Sequence, residues 1–222
     1  LKEDDMLRTL LLIVHIAGGA VALASLVPVV ASSWGTGIRV SRRHATYGRL
    51  YGWSMVVALA AAYPLSVIMP SAFLGAVAVF TTYLVASGWR WIRRDHSQTV
   101  ALGKLLAIGM LIAAVVMVIL GIDQLRDDDQ LGIVLFVFAG IGSALAVQDL
   151  VSLRGDRPPR REQVALHFGR MLGGAIATIT AVLVVNVSLE PEWLVWTMPS
   201  IMISPMIAIR SALVLRPQSA RS

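Results

Sequence analysis

The chain has 222 residues, of which 57% are hydrophobic and 14% charged, with a net charge of +6 and a mean hydropathy of +0.75. Soluble domains carry about 25% charged residues, so this composition excludes an ordinary soluble domain. Cysteine is absent, which excludes disulfides, iron–sulfur clusters and covalently attached c-type haem.

A helix needs about 20 apolar residues to cross the hydrocarbon core of a bilayer. No charge lies between Arg8 and Arg39, which predicts a first helix over 8–32. That run is too long for a signal peptide and reads as a retained helix. The next charge-free run, Leu50 to Trp89, spans 40 residues and holds two crossings, 46–69 and 71–92. Pro70 marks the turn between them. Four further runs predict helices over 101–122, 131–153, 164–187 and 193–215, each lengthened where a basic side chain snorkels to the interface. Pro199 and Pro205 are expected to kink the last one. The expected fold is an all-α, polytopic membrane bundle of seven transmembrane helices forming a single domain over 1–222.

Basic residues set the expected orientation. One set of helix ends and loops holds Arg39, Arg42, Arg43, Arg49, Arg90, Arg93, Arg94, Lys104, Arg154, Arg157, Arg160, Arg161, Arg170, Arg210, Arg216 and Arg221, sixteen of the nineteen basic residues. The other keeps Lys2, Arg8 and Arg126 with the acidic runs Glu3-Asp4-Asp5 and Asp127-Asp128-Asp129. The rich side is expected to be cytoplasmic, giving a multi-pass protein of the cell (plasma) membrane with its N-terminus outside and its C-terminus in the cytoplasm. The basic balance is thus read as topology rather than as nucleic-acid binding. Trp34, Trp89 and Trp91 are expected at the inner interface and Trp193 and Trp196 at the outer one, as an aromatic belt.

The three helices that enter from the basic side open alike: Gly48-Arg49-Leu50-Tyr51-Gly52, Gly103-Lys104-Leu105-Leu106-Ala107 and Gly169-Arg170-Met171-Leu172-Gly173. Each follows a histidine, His44, His96 or His167, which suggests one helix followed by three related hairpins. The plainer reading is chance recurrence of common residues. Small residues four apart favour close helix packing, and Gly18 and Gly19 invite the same interpretation.

Ionisable groups within a bilayer are costly and raise functional hypotheses. His15 stands apart toward the outer side, with Gly18 and Gly19 leaving room beside its imidazole. Toward the inner side His44, Arg49, Lys104, Asp149, His167, Arg170 and Arg210 are expected at similar depth. His44, Tyr47 or Gly48, and Tyr51 share a helix face, as do His167 and Arg170. Lys104, Asp149 and Arg210 form the expected polar cluster, and Asp149, the only acid within its helix, is the expected counter-ion for all of these basic groups. Histidines beside arginines suit b-type haem, whose propionates pair with arginine, or a quinone carrier. His15, His44, Arg49, Tyr51, His167 and Arg170 are the candidate cofactor-binding residues, and His44, His96 and His167 the candidate metal ligands. Against this stands snorkelling of the arginines to lipid phosphates. No lysine suits a retinal Schiff base, and neither a hydrolase constellation nor a zinc-protease or phosphate-loop motif occurs, so catalysis is left open. Besides the lipid bilayer, the alternatives are a structural subunit in a homo-oligomer or larger membrane complex, and a small transporter. Few polar residues at mid-depth, Thr81, Thr82 and Ser143, count against transport.

His15-Ile16-Ala17-Gly18-Gly19, followed by His44-Ala45-Thr46-Tyr47-Gly48-Arg49-Leu50-Tyr51, resembles a family of prokaryotic membrane proteins, domain-of-unknown-function 2306, over residues 1–95. The resemblance implies a multi-helix membrane protein with His15, His44, Gly48, Arg49 and Tyr51 as site residues. Ala45 stands where that family prefers arginine, and its later His-Arg-x-Trp element has no counterpart, His96 being followed by Ser97 and Gln98.

Overall fold

The computed structural model describes residues 2–33, 41–93 and 96–215, without the side chains of residues 2, 3 and 96–99. Trp34, Arg39, Arg94, Arg216 and Arg221 therefore lie outside the described residues, as does the side chain of His96. Seven helices follow one another: α1 (Lys2–Ser33), α2 (Arg42–Ile68), α3 (Ala72–Ile92), α4 (His96–Arg126), α5 (Leu131–Ser152), α6 (Arg160–Asn186) and α7 (Trp193–Leu215). Each is long and apolar enough to cross a membrane. The chain is an integral membrane seven-helix bundle.

Local chemistry fixes the helix ends. Ser41 Oγ accepts the His44 amide at 3.1 Å and Ser71 Oγ the Leu74 amide at 3.2 Å, capping the first turns of α2 and α3. Between α4 and α5 the turn is made by Asp128 at φ 60°, a left-handed conformation that aspartate tolerates. Asp129 Oδ1 then accepts the Leu131 amide at 2.9 Å to start α5. Helix α7 runs unbroken through Pro199 and Pro205.

Lipid cannot drive apolar side chains together, so close backbone approach and steric fit hold such a bundle. Gly18 is the clearest case: a Cβ there would lie 3.0 Å from both Ala58 N and Ser54 O. The space beside His15 is thus filled by the backbone of α2 rather than left for a ligand. Gly19 meets nothing within 4 Å. The main core lies among α3, α4 and α5, where Leu84, Met110, Met117 and Leu135 are buried and Phe80 stacks on Phe138 at 4.9 Å. Trp196 of α7 meets Phe73 edge-on at 4.8 Å. Large apolar side chains elsewhere, such as Val67, Leu105 and Val185, face outward, as lipid requires.

The strongest antiparallel pairs are α1 with α2, α4 with α5 and α6 with α7, while α3 sits centrally against α6, α4 and α2. The expected first hairpin is therefore displaced: α2 packs most extensively on α1, because the Gly18 contact draws those two together. The tryptophans near the helix ends pack against the protein. Trp91 and Trp196 are buried, and half-buried Trp89 meets Trp53 edge-on at 5.5 Å.

Candidate functional site

Two polar centres lie on opposite sides of α6 at the basic end of the bundle. The first is a cavity of about 570 Å³ lined by residues of α1, α2, α3, α6 and α7. His44, Arg49 and Tyr51 come from α2, Arg160 and His167 from α6, and Arg210 from α7. Among the described residues no acidic side chain lines it, so the described wall is positive and invites an anion.

Its histidines are held alike. His44 Nδ1 lies 3.3 Å from Val29 O on α1, and His167 Nδ1 lies 2.9 Å from Gly88 O on α3. A carbonyl can only accept, so each Nδ1 carries a proton, and in the neutral imidazole the lone pair is left on Nε2. The two imidazoles are within electrostatic reach of each other. This is the second-sphere arrangement that orients a ligating histidine. His15 repeats it, Nδ1 lying 2.9 Å from Ala58 O, but lines neither centre.

The second centre is buried. Asp149, 1% exposed on α5, accepts Tyr83 Oη at 2.8 Å, Trp91 Nε1 at 3.1 Å and Arg170 Nη2 at 2.8 Å. Arg170 Nη2 also reaches Leu145 O and Gln148 Oε1, each at 3.0 Å. Arg90 Nη2 stands 3.8 Å from the same carboxylate oxygen, and its guanidinium lies 3.8 Å from the centre of the Trp91 ring. Gly103 makes room for it, since a Cβ there would meet Arg90 Cζ at 2.8 Å. These side chains converge because Arg90 and Asp149 each lie near the C-terminal end of their helix, while Arg170 reaches them from α6.

The candidate cofactor residues thus divide. His44, Arg49, Tyr51 and His167 share the cavity. Arg170 leaves it for Asp149, although His167 is only three residues away, because the α5 carboxylate is its partner. Asp149 is a counter-ion, as expected for the basic group that includes Arg170, while Lys104 and Arg210 do not join it. Lys104 is exposed on α4, and Arg210 Nη2 donates to Ser33 O at 3.1 Å. Snorkelling describes neither Arg90 nor Arg170, both buried. Among the described residues no group of three or more histidines and carboxylates gathers to hold a metal.

The repeated glycines serve two purposes. Gly48 and Gly169 line cavities, whereas Gly52 packs against the Trp89 ring and Gly173 against Leu84. Arg90, Tyr83, Trp91 and Gln148 were not legible as site residues. The signal available was an arginine beside a tryptophan opposite the lone acid of α5.

Fold and site together define a polytopic membrane protein with a positive, histidine-bearing cavity at one end of its bundle. No protein-family model, curated protein or solved structure matches the chain.

Proposed function

We propose that this is a redox-type, ligand-binding membrane protein whose inner cavity takes a flat anionic cofactor, b-type haem foremost. The observation that carries the reading is that His44 and His167, from different helices, line one cavity with each Nδ1 anchored on a backbone carbonyl. Their Nε2 lone pairs would then hold the iron of such a cofactor. Arg49, Arg160 and Arg210 supply positive charge for two propionates, and Tyr51, Trp89 and Phe168 offer apolar wall. Of the residues that carry the resemblance noted above, His44, Gly48, Arg49 and Tyr51 line this cavity and His15 does not.

Purified from native membranes, the wild-type chain is expected to show a Soret band. His44→Ala and His167→Ala should each abolish or strongly shift it. A colourless preparation that also fails to take up added haem overturns the reading. A quinone is the second reading, favoured by the Tyr51 hydroxyl, whose contact to Met171 O is long at 3.5 Å. Quinone in solvent extracts of a haem-free protein would select it. Transport draws less support, since Thr81 Oγ1 donates to Val77 O of its own helix and Thr82 pairs with Tyr63.

The basic end, and with it the C-terminus, is taken as cytoplasmic in the cell membrane on the distribution of arginine. A C-terminal reporter active only in the cytoplasm tests that topology.

A further inference from the structure

A cleft of about 610 Å³ runs between α5, α6 and α7 on the side of α6 away from the histidine cavity. Phe138, Ile141 and Ile207 line its apolar length, and Gln148 and Arg170 its polar part. Behind Arg170 lies an imbalance of charge. Two buried guanidiniums, Arg90 and Arg170, face the single carboxylate of Asp149. Arg90 Nε and Nη2 and Arg170 Nε are buried without a hydrogen-bond partner. A buried cation normally has its donors satisfied, so among the described residues the centre has one guanidinium more than its carboxylates, and Arg170 Nε is the unfilled donor on a residue that lines the cleft. Arg90 and Asp149 also lie within the last turn of α3 and α5, near the depth at which lipid phosphates stand.

We propose that this cleft binds an acidic phospholipid, its phosphate drawn toward Arg170 and one acyl chain lying along Phe138, Ile141 and Ile207. An apolar trough ending in surplus positive charge matches an anionic amphiphile and not a zwitterionic one. Glu162 also lines the cleft. It stands eight residues before Arg170, about 12 Å along the helix axis, and so opposes an anion at the mouth more than at the Arg170 end.

The test is thermal unfolding of the full chain in bilayer discs of phosphatidylcholine, with and without phosphatidylglycerol, and separately with inorganic phosphate. Phosphatidylglycerol is expected to raise the midpoint, and free phosphate is not. Lipid co-purified through detergent exchange should be enriched in the acidic class. Gly169→Leu fills the cleft, since a Cβ there meets only Ile207 at 3.8 Å, and it leaves the Asp149 pairing intact. This variant should lower retained acidic lipid about tenfold, a loss of about 1.4 kcal/mol in binding. Exposed Lys104→Gln should retain it as the wild type does. Arg170→Gln should lose it where the variant folds. Equal midpoints in the two bilayers, equal stabilisation by free phosphate, or full retention by Gly169→Leu would each overturn the proposal.

Discussion

The two polar centres use the same vocabulary, arginine and an aromatic side chain at the basic end, and treat charge in opposite ways. Around Asp149 two buried guanidiniums share one carboxylate, whose shell Tyr83 and Trp91 complete. Around His44 and His167 the described cavity wall carries arginines and no carboxylate, and the imidazoles are anchored from behind by carbonyls. A buried ion pair is a structural element, because removing one partner strands the other. A positive cavity wall with anchored imidazoles suits the binding of an anion. The difference between the centres comes from one residue, the carboxylate that α5 supplies to one side of α6 and that no helix supplies to the other.

Substitutions that separate structure from binding sharpen that contrast. Asp149→Leu strands two buried guanidiniums and should cost about 3–5 kcal/mol, read as loss of the folded fraction in a detergent unfolding titration. The double variant Asp149→Leu with Arg170→Met should regain part of that loss. If the single variant is as stable as wild type, the buried centre is not structural. Tyr83→Phe removes one hydrogen bond to a charged acceptor and should cost about 1.5–3 kcal/mol, while leaving any chromophore of the other cavity unchanged. The smallest effect is expected at Arg49, exposed on α2. Arg49→Gln should shift stability by less than about 0.5 kcal/mol yet weaken uptake of added haem. A large stability loss there, measured in the same titration, would erase the distinction between the two regions.

Much of this was readable from residues alone, for definable reasons. The seven helices follow from charge-free runs, since a bilayer admits no other use for them. Their observed ends differ from expectation mainly where charged residues extend a helix beyond the hydrocarbon, as at α1, α4 and α6. Asp149 was recognisable as a counter-ion because it is the lone acid of α5, and the sharing of one face by His44, Gly48 and Tyr51 follows from helical spacing. Arg90, Tyr83 and Trp91 were not recognisable. An arginine and a tryptophan at a helix end have the same sequence signature whether they face headgroups or a buried carboxylate.

Sequence by itself determined the number of crossings, the basic and acidic ends and the residues available to each, because hydropathy and charge act along the chain. Tertiary structure decided which neighbours those residues meet. Close approach at Gly18 paired α2 with α1, and the rotation of α6 sent His167 to one side and Arg170 to the other. Three residues separate these two in sequence, and only the placement of α1, α2 and α5 around α6 makes one a cavity wall and the other a buried ion pair.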